Sequence, residues 1–389
     1  MEFQLTAQQA DIQARTRAIA AEALAARAAS VDRDGRFPTE NFGDLHRAGL
    51  LALLVPRDLG GEGADIISYV LACEEVGRAC GSTALPFLMH QGNCLAILVG
   101  GSPEQQRRYL GAVTGEGKLI GVAFSEPGSG SNFAVPQITS RRDGDRYVLN
   151  GRKFFATGAG HVDYLLVNTQ IEDAAAPTDT NLFILDARNN PGLHVQENWD
   201  AMGMRGTPSN DVILEDCAVP AADRIGEHGK ALDTLLQIAG VYYLGMAGAF
   251  LGIGQAALDY AANHLQTRVQ FPDPKPLAHH QGLRFAFADA HVALQGARWL
   301  LYHASFVAQT DPANAVVPVH EAKLACNLAA IQATDRAMQL CGGRGYLKRN
   351  PVERYYRDVR AGALMAVNAE VCREFIAKPL LGMDPLAAD

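Results

Sequence analysis

The chain has 389 residues and a formal net charge of −8, with 34 lysines and arginines against 42 aspartates and glutamates. This acidic balance argues against a protein that binds nucleic acid through a basic surface, and the length allows two or three domains with a sizeable core. The seven cysteines are odd in number and none belongs to a C-x-x-C pair, so we expect free thiols in a reducing compartment, the cytoplasm. The first residues show no basic-then-apolar run, and we expect no secretory signal.

The first third of the chain has the periodicity of helices. Residues 6–9, Thr-Ala-Gln-Gln, form a capping-box pattern, and apolar residues recur on one helical face from there. Turn residues interrupt the pattern at 55–61, after which we expect helices over roughly 65–79 and 89–99. Residues 1–120 are therefore predicted to form a helical domain.

The period changes at residue 121, where short apolar runs alternate with turn residues. Asn150-Gly151 stands between two such runs, and because both residues tolerate positive φ, the dipeptide predicts a two-residue hairpin turn within 147–155. Residues 121–228 are expected to form a β domain. The predicted strands are 146–149, 152–156, 164–168, 182–186 and 211–219.

Helical periodicity returns near Lys230. Gly245, Gly248 and Gly252 lie three and four residues apart, a spacing that lets neighbouring helices approach closely. The surrounding run 238–254 has no charge, but it is barely as long as the shortest membrane-spanning helix, about 17 residues, and is rich in glycine. We expect a buried core helix there and no membrane span, within a helical domain over 229–389.

The stretch 339–360 reverses the charge of the chain locally. Gly342 and Gly343 end a helical pattern, and Asp358 is expected to pair with the adjacent Arg357. Taken singly, these features predict a helix C-cap, a loop and a solvated basic helix. A glycine pair can also lie close to a phosphate or an adenine, since it has no side chains to keep a ligand away. The cations of this stretch are Arg344, Lys348, Arg349, Arg354, Arg357 and Arg360.

Four motifs, at 124–132, 151–158, 268–281 and 339–360, resemble in that order those of the acyl-CoA dehydrogenase family of flavoenzymes. Residues 339–360 contain Q-x-x-G-G-x-G-Y and then P-x-x-R-x-x-R-D-x-R, and resemble the C-terminal signature of that family. Residues 124–132, Phe-Ser-Glu-Pro-Gly-Ser-Gly-Ser-Asn, are similar to T-E-P-x-x-G-S-D, with asparagine in place of aspartate. Residues 151–158 resemble G-x-K-x-W/F-I-T-N, and 268–281 resembles R-x-x-F…Q with two extra residues. The resemblance covers nearly the whole chain.

The resemblance implies an α+β fold with an N-terminal helical domain, a middle β-barrel domain and a C-terminal four-helix bundle. It implies FAD as the cofactor and an oligomer, a homotetramer or at least a dimer, in which residues 339–343 serve the FAD of a neighbouring subunit. Ser131 would contact the bound acyl thioester. The FAD-binding residues that it implies are Ser125, Phe155, Thr157, Arg268, Phe271, Gln281, Gln339 and Gly343.

The same resemblance implies α,β-dehydrogenation of an acyl thioester, carried by coenzyme A or by an acyl carrier protein, with an electron-transfer flavoprotein as the oxidant. In this reaction a carboxylate removes the α-proton while the flavin accepts the β-hydride. The family's usual glutamate falls at Ala366 and its alternative position falls near Tyr242, so neither place offers a carboxylate. Glu370, one helical turn beyond Ala366, is the candidate base. The alternative for Glu370 is a capping or salt-bridged glutamate at a helix start.

Two other functions stay open. A flavin-dependent monooxygenase on the same fold uses oxygen and needs no α-proton base, and residues 155–159 resemble that branch somewhat more. His90, on the helix that would wall the acyl pocket, could then protonate or orient a flavin–oxygen adduct; a histidine bonded to a backbone carbonyl is the alternative. The other possibility is a non-catalytic partner subunit. No metal site is expected, since none of the eleven histidines lies in an H-E-x-x-H spacing.

Overall fold

The computed structural model describes residues 4–128, 130, 135–365 and 367–385. The N-terminal part is helical, as predicted, and its first helix begins at the predicted capping box: Thr6 Oγ1 accepts from the amide of Gln9, and Gln9 Oε1 accepts from the amide of Thr6. Two π-helical segments, Ala20–Leu24 and Gln106–Leu110, interrupt the helices. The helices are α1 Ala7–Ile19, α2 Ala25–Asp34, α3 Thr39–Arg47, α4 Ile66–Ala79, α5 Gly81–Gly100, α6 Pro103–Gln105 and α7 Gly111–Glu116.

The middle part is one eight-stranded sheet with the order β6-β7-β3-β1-β4-β5-β8, and β2 pairs with β3 and β4. β1 lies in the middle of the sheet, parallel to β4 on one side and antiparallel to β3 on the other. All five predicted strand runs fall within it. The strands are β1 Ile120–Ala123, β2 Thr139–Asp143, β3 Arg146–Thr157, β4 Tyr164–Ile171, β5 Thr180–Asp186, β6 Leu193–Gln196, β7 Ser209–Pro220 and β8 Arg224–Ile225.

The hairpin predicted at Asn150-Gly151 is wrong. β3 runs through the dipeptide, and its register against β7 shifts there. Asn150 bonds Asp216 of β7 twice, through its side-chain oxygen and its side-chain nitrogen. A Cβ on Gly151 would overlap Ile138, so glycine at this position allows Ile138 to pack closely against the strand and does not form a turn. The real hairpin joins β2 to β3 at Gly144, whose φ is 64°.

The C-terminal part is helical and is built around α8, which packs against α4, α5, α9 and α10. The predicted close approach is confirmed, because a Cβ on Gly252 would overlap the carbonyl of Glu74 on α4. Among the described helices, only α8 is long and apolar enough to cross a membrane, and its apolar residues are mostly buried in the protein core. All seven cysteines are buried and free. The elements are α8 Ala231–Thr267, β9 Val269–Gln270, β10 Asp273–Pro276, α9 Gln281–Thr310, α10 Val316–Cys341, α11 Val352–Val359 and α12 Ala369–Leu380.

The predicted pairing of Arg357 with Asp358 is also wrong. The guanidinium of Arg357 bonds Asp32 of α2 at 2.7 and 2.9 Å and Glu353 of α11 at 2.7 Å. Asp358 instead accepts the backbone N–H of Met204 at 2.6 Å, and burial raises the pKa of its carboxyl to about 6. Adjacent side chains on a helix do not face each other, so the two residues reach different parts of the protein. Arg357 and Asp358 therefore connect the C-terminal part of the fold to the N-terminal helices and to the middle part.

Candidate active site

A cavity of about 540 Å³, here called the main cavity, lies where the sheet meets α5 and α8. Ser125, Phe155 and Thr157 line it from the sheet side. The segment that leads into α12 lines it through Met365 and Asn368. The apolar wall comes from α5 and α8, through Met89, Leu235, Ala239, Tyr242, Tyr243 and Met246. Three of the sequence-predicted residues are therefore brought together at one cavity.

Phe155 stands out from β3. Its φ is 53° and its side chain is 65 % exposed. The register between β3 and β7 shifts between Lys153 and Ala156, so the strand is irregular at this residue. The neighbouring amide of Phe154 donates to the carbonyl of Ser125 at 2.8 Å, which fixes the two segments together. Positive φ is costly for an aromatic residue, and such strain is typical of functional sites.

A buried ion pair supports this side of the cavity. Lys153 Nζ donates to Glu126 Oε1 at 2.6 Å and to Asn168 Oδ1 at 3.0 Å. Burial lowers the pKa of Lys153 to about 8, against the opposing effect of Glu126. Glu126 also accepts the amide of Gln137 at 2.6 Å. The pair therefore holds the segment around Ser125 against β3.

The other predicted FAD-binding residues form a second group, which is exposed to solvent. The end of α10 and the turn that follows β10 pack on the last turns of α8 through a separate apolar cluster that includes Leu265, Leu340 and, at its edge, Leu277. Burial, followed by the charges of Arg344 and Arg268, lowers the pKa of His264, so both cations lie near this histidine. Gly342, with φ 59°, caps α10, as predicted. The residues of this group are Arg268, Phe271, Gln281, Gln339 and Gly343.

The two groups are far apart within one chain. Tyr242 lies at the main cavity, and Thr267 ends α8 beside the second group. At 1.5 Å per residue, the helix between them spans about 37 Å. The two groups of a single chain therefore do not surround one ligand.

The candidate base Glu370 lies outside the main cavity. It is 77 % exposed, in the first turn of α12, and pairs with Arg373 at 3.2 Å. Asn368 caps this helix by accepting the amide of Val371 at 2.9 Å. Glu370 thus has the geometry of the alternative, a salt-bridged glutamate at a helix start. Ala366 and Ser131 lie outside the described residues.

Tyr242 lines the main cavity where α8 packs against α5. Its hydroxyl donates to Asn93 Oδ1 at 2.6 Å, and Asn93 Nδ2 donates to the carbonyl of Ile120 at 2.7 Å. A Cβ on Gly92 would overlap the ring, so the tyrosine fills the space that glycine leaves on α5. Sequence reasoning noted Tyr242 only as a place without a carboxylate. In the sequence, the Gly92–Asn93 pair could indicate this contact with Tyr242, but only once α5 and α8 are known to pack against each other.

His90 faces the core and not the main cavity. Its Nε2 donates to the carbonyl of Leu51 at 3.1 Å, and its Nδ1 accepts the amide of Ile120 at 3.0 Å. Its side chain is 1 % exposed, and burial lowers the pKa of the imidazole to about 4. The ring is neutral at physiological pH and both of its nitrogens are engaged. The neighbouring Met89 is the residue that lines the cavity.

Comparison with known proteins is consistent across the chain. Three family descriptions match it: acyl-CoA dehydrogenase N-terminal domain over 6–116, middle domain over 121–217 and C-terminal domain over 243–381. Human mitochondrial short-chain specific acyl-CoA dehydrogenase is 34 % identical over 357 residues, which cover 91 % of this chain and 85 % of that protein. Cyclohex-1-ene-1-carbonyl-CoA dehydrogenase of Geobacter metallireducens is 33 % identical over 366 residues, covering 94 % and 96 %.

The fold agrees. The solved structure of butyryl-CoA dehydrogenase from Megasphaera elsdenii matches with a TM-score of 0.92 and 28 % identity, covering 98 % of this chain and 100 % of that one. The chain belongs to the acyl-CoA dehydrogenase family. The resemblance inferred from the four motifs and the predicted fold class are both confirmed.

Proposed function

We propose that the protein is an FAD-dependent oxidoreductase that acts on the bond between the α- and β-carbons of a short acyl thioester. The observation that carries this proposal is the main cavity, in which Ser125, Phe155 and Thr157 face a closed apolar wall of α8. A planar redox ring and a small acyl group fit such a space, with hydroxyls on one side and aliphatic or aromatic side chains on the other.

The residues present suit FAD. The exposed ring of Phe155 offers a flat apolar face, and the hydroxyls of Ser125 and Thr157 can bond the polar edge of a flavin. Arg268 and the Gly342–Gly343 backbone suit a pyrophosphate or adenine. When bound, FAD supplies hydride transfer at the β-carbon. The chain itself positions the thioester beside the ring and keeps water out through the apolar wall.

The separation of the two groups favours an oligomer. Since about 37 Å of α8 divides them, we propose that residues 268–281 and 339–343 of one copy complete the FAD site of another. α9 presents a suitable contact face: four apolar residues recur every seven positions, thus on one side of the helix, and each is more than half exposed. Exposed apolar stripes of this kind mark protein interfaces. The four are Phe285, Val292, Trp299 and Phe306. We propose a homotetramer, or at least a dimer.

The proposed acyl group is short or compact. Tyr242 fills the space between α5 and α8, and its hydrogen bond to Asn93 holds it there. The human and Geobacter relatives are named for short-chain and cyclohexene-carbonyl substrates, which agrees with a closed pocket. Coenzyme A and an acyl carrier protein would both present the same thioester. An electron-transfer flavoprotein or oxygen would exchange electrons with the flavin.

No aspartate or glutamate is found among the described residues that line the main cavity. The sequence also places alanine at position 366. The α-proton is therefore not handled by a carboxylate of the described lining, and Glu370 is not retained for that chemistry. His90 was the candidate residue of the monooxygenase alternative, and its two hydrogen bonds in the core remove that support, which leaves only the resemblance of residues 155–159.

Flavin content and assembly test this proposal together. We expect purified or reconstituted protein to hold about one FAD per chain in a species larger than a monomer, measured by absorbance and light scattering. Phe155→Asn tolerates the positive φ but lacks the ring, and should weaken FAD binding. Protein that cannot be reconstituted with FAD would refute the function, and a monomer that retains FAD would refute the shared site.

A further inference from the structure

Tyr243 lies at the boundary of the main cavity and a second cavity of about 590 Å³, which we call the side groove. The side groove lies between α8, α10 and α12, and both cavities are lined by Ala239 and Tyr243. Val367 lines the side groove, whereas Met365 and Asn368 line the main cavity. Tyr243 therefore stands across from the segment in which the family carries its glutamate.

Tyr243 is 6 % exposed, and no described residue forms a hydrogen bond with its hydroxyl. Its ring is held in place by His320, whose ring lies 5.2 Å away and in turn stacks on Phe375 at 4.5 Å. A buried phenol usually has a partner. Tyr243 lines the main cavity, so a ligand bound there can supply this partner.

Few ionisable side chains line the main cavity. Among the described lining residues, Tyr242 and Tyr243 alone have ionisable side chains. The proton of Tyr242 is committed to Asn93. The hydroxyl of Tyr243 is the one left to exchange a proton with a bound thioester.

Resting on the proposed function, we propose that Tyr243 is the proton donor to the α-carbon and that the enzyme reduces 2-enoyl thioesters. The hydride for the β-carbon would come from reduced FAD, and the electrons of the C=C bond would move into a thioester enolate. The α-carbon then forms a C–H bond as the O–H bond of Tyr243 breaks, and the phenolate regains a proton from water. The thioester is reduced by two electrons, which a reduced electron-transfer flavoprotein would restore to FAD.

The electrostatic environment keeps the proton on the Tyr243 hydroxyl. Burial raises the pKa of the Tyr243 hydroxyl, so the phenol stays protonated at neutral pH. A protonated phenol can supply a proton but cannot remove one.

The test compares wild type with Tyr243→Phe, and uses Tyr356→Phe on the exposed side of α11 as the matched control. Protein reduced under anaerobic conditions is mixed with crotonyl-CoA in D2O. We expect Tyr243→Phe to slow the return of oxidised flavin about a hundredfold, whereas Tyr356→Phe should equal wild type. Wild type should place deuterium on one face of the α-carbon, and Tyr243→Phe should scramble it.

A second readout needs no FAD. In the FAD-free protein, calorimetry with crotonyl-CoA should show that Tyr243→Phe weakens binding by no more than about tenfold, the loss of one hydrogen bond. Unchanged reoxidation, or stereospecific deuterium in Tyr243→Phe, would overturn the role of Tyr243 and leave the proposed function intact. Failure of wild type to react with crotonyl-CoA would overturn both.

Discussion

The hydroxyl of Tyr242 on α8 donates to Oδ1 of Asn93 on α5 at 2.6 Å. The bond joins the two helices beside the main cavity, next to Gly92, which has no room for a side chain. We therefore expect the size of the acyl group that this site accepts to depend on Tyr242 and its partner Asn93.

Removing the ring should open the pocket. We expect Tyr242→Ala to bind octanoyl-CoA roughly tenfold more tightly than wild type does, because each buried methylene gains about 0.8 kcal/mol and the vacated space should admit about two more. Binding of butyryl-CoA should change little. Titration by calorimetry would show this shift, and an unchanged preference for chain length would contradict the role of Tyr242 as the end wall.

A carboxylate restored at position 366 should create dehydrogenation activity. Because general base catalysis contributes about 10²–10⁴-fold, we expect Ala366→Glu to raise the rate of flavin bleaching by butyryl-CoA by at least about a hundredfold. Ala366→Gln is the control of matched size. Glu370→Gln should leave the rate unchanged, because that glutamate is exposed and paired with Arg373. Slower bleaching in Glu370→Gln would return Glu370 to the mechanism.

His90 should contribute to stability in a pH-dependent way. The pKa of its imidazole is about 4 in the folded protein and about 6.5 when unfolded, so the unfolded chain binds more protons between these values. The contribution is complete above pH 6.5 and is lost as the pH falls toward 4. Urea titrations should show that the gap in unfolding free energy between wild type and His90→Phe shrinks by on the order of 2 kcal/mol from pH 7 to pH 4.5. A gap that stays constant across this range would contradict the burial of a neutral imidazole.

The exposed face of α9 should control assembly. Val292→Arg places a charge in the middle of the apolar stripe, and burying that charge at an interface is costly. We expect a smaller species by light scattering, together with lower FAD content because the shared site is broken. Ala18→Arg, on the exposed side of α1, is the control. An oligomer that survives Val292→Arg would show that copies meet elsewhere.

Local patterns predicted the elements well. The capping box at Thr6, the strand runs and the Gly342 cap depend on residues close in sequence, and they are confirmed. The failures concern partners that are distant in sequence. Asn150-Gly151 has turn chemistry, yet pairing with β7 keeps it inside a strand. Arg357 reaches Asp32, 325 residues away, in preference to its neighbour.

The predictions for the candidate site also succeeded where they depended on local patterns and failed where they depended on distant contacts. Motif spacing grouped Ser125, Phe155 and Thr157, which do meet at one cavity, whereas Glu370 and His90 depended on side-chain direction, which spacing does not set. The end wall at Tyr242 and the unpaired hydroxyl of Tyr243 require the packing of α8 against other helices. The domain boundaries after residues 120 and 228, and the cytoplasmic location, stay predictions.

Anaerobic reaction of the reduced, FAD-loaded protein with crotonyl-CoA tests the central claim most directly, because it needs a bound flavin and a reactive α,β-bond in one cavity. The account predicts that oxidised flavin absorbance returns as butyryl-CoA forms in equal amount, as measured by mass spectrometry. Flavin that stays reduced, with crotonyl-CoA unchanged, would contradict the account and point to a non-catalytic partner subunit.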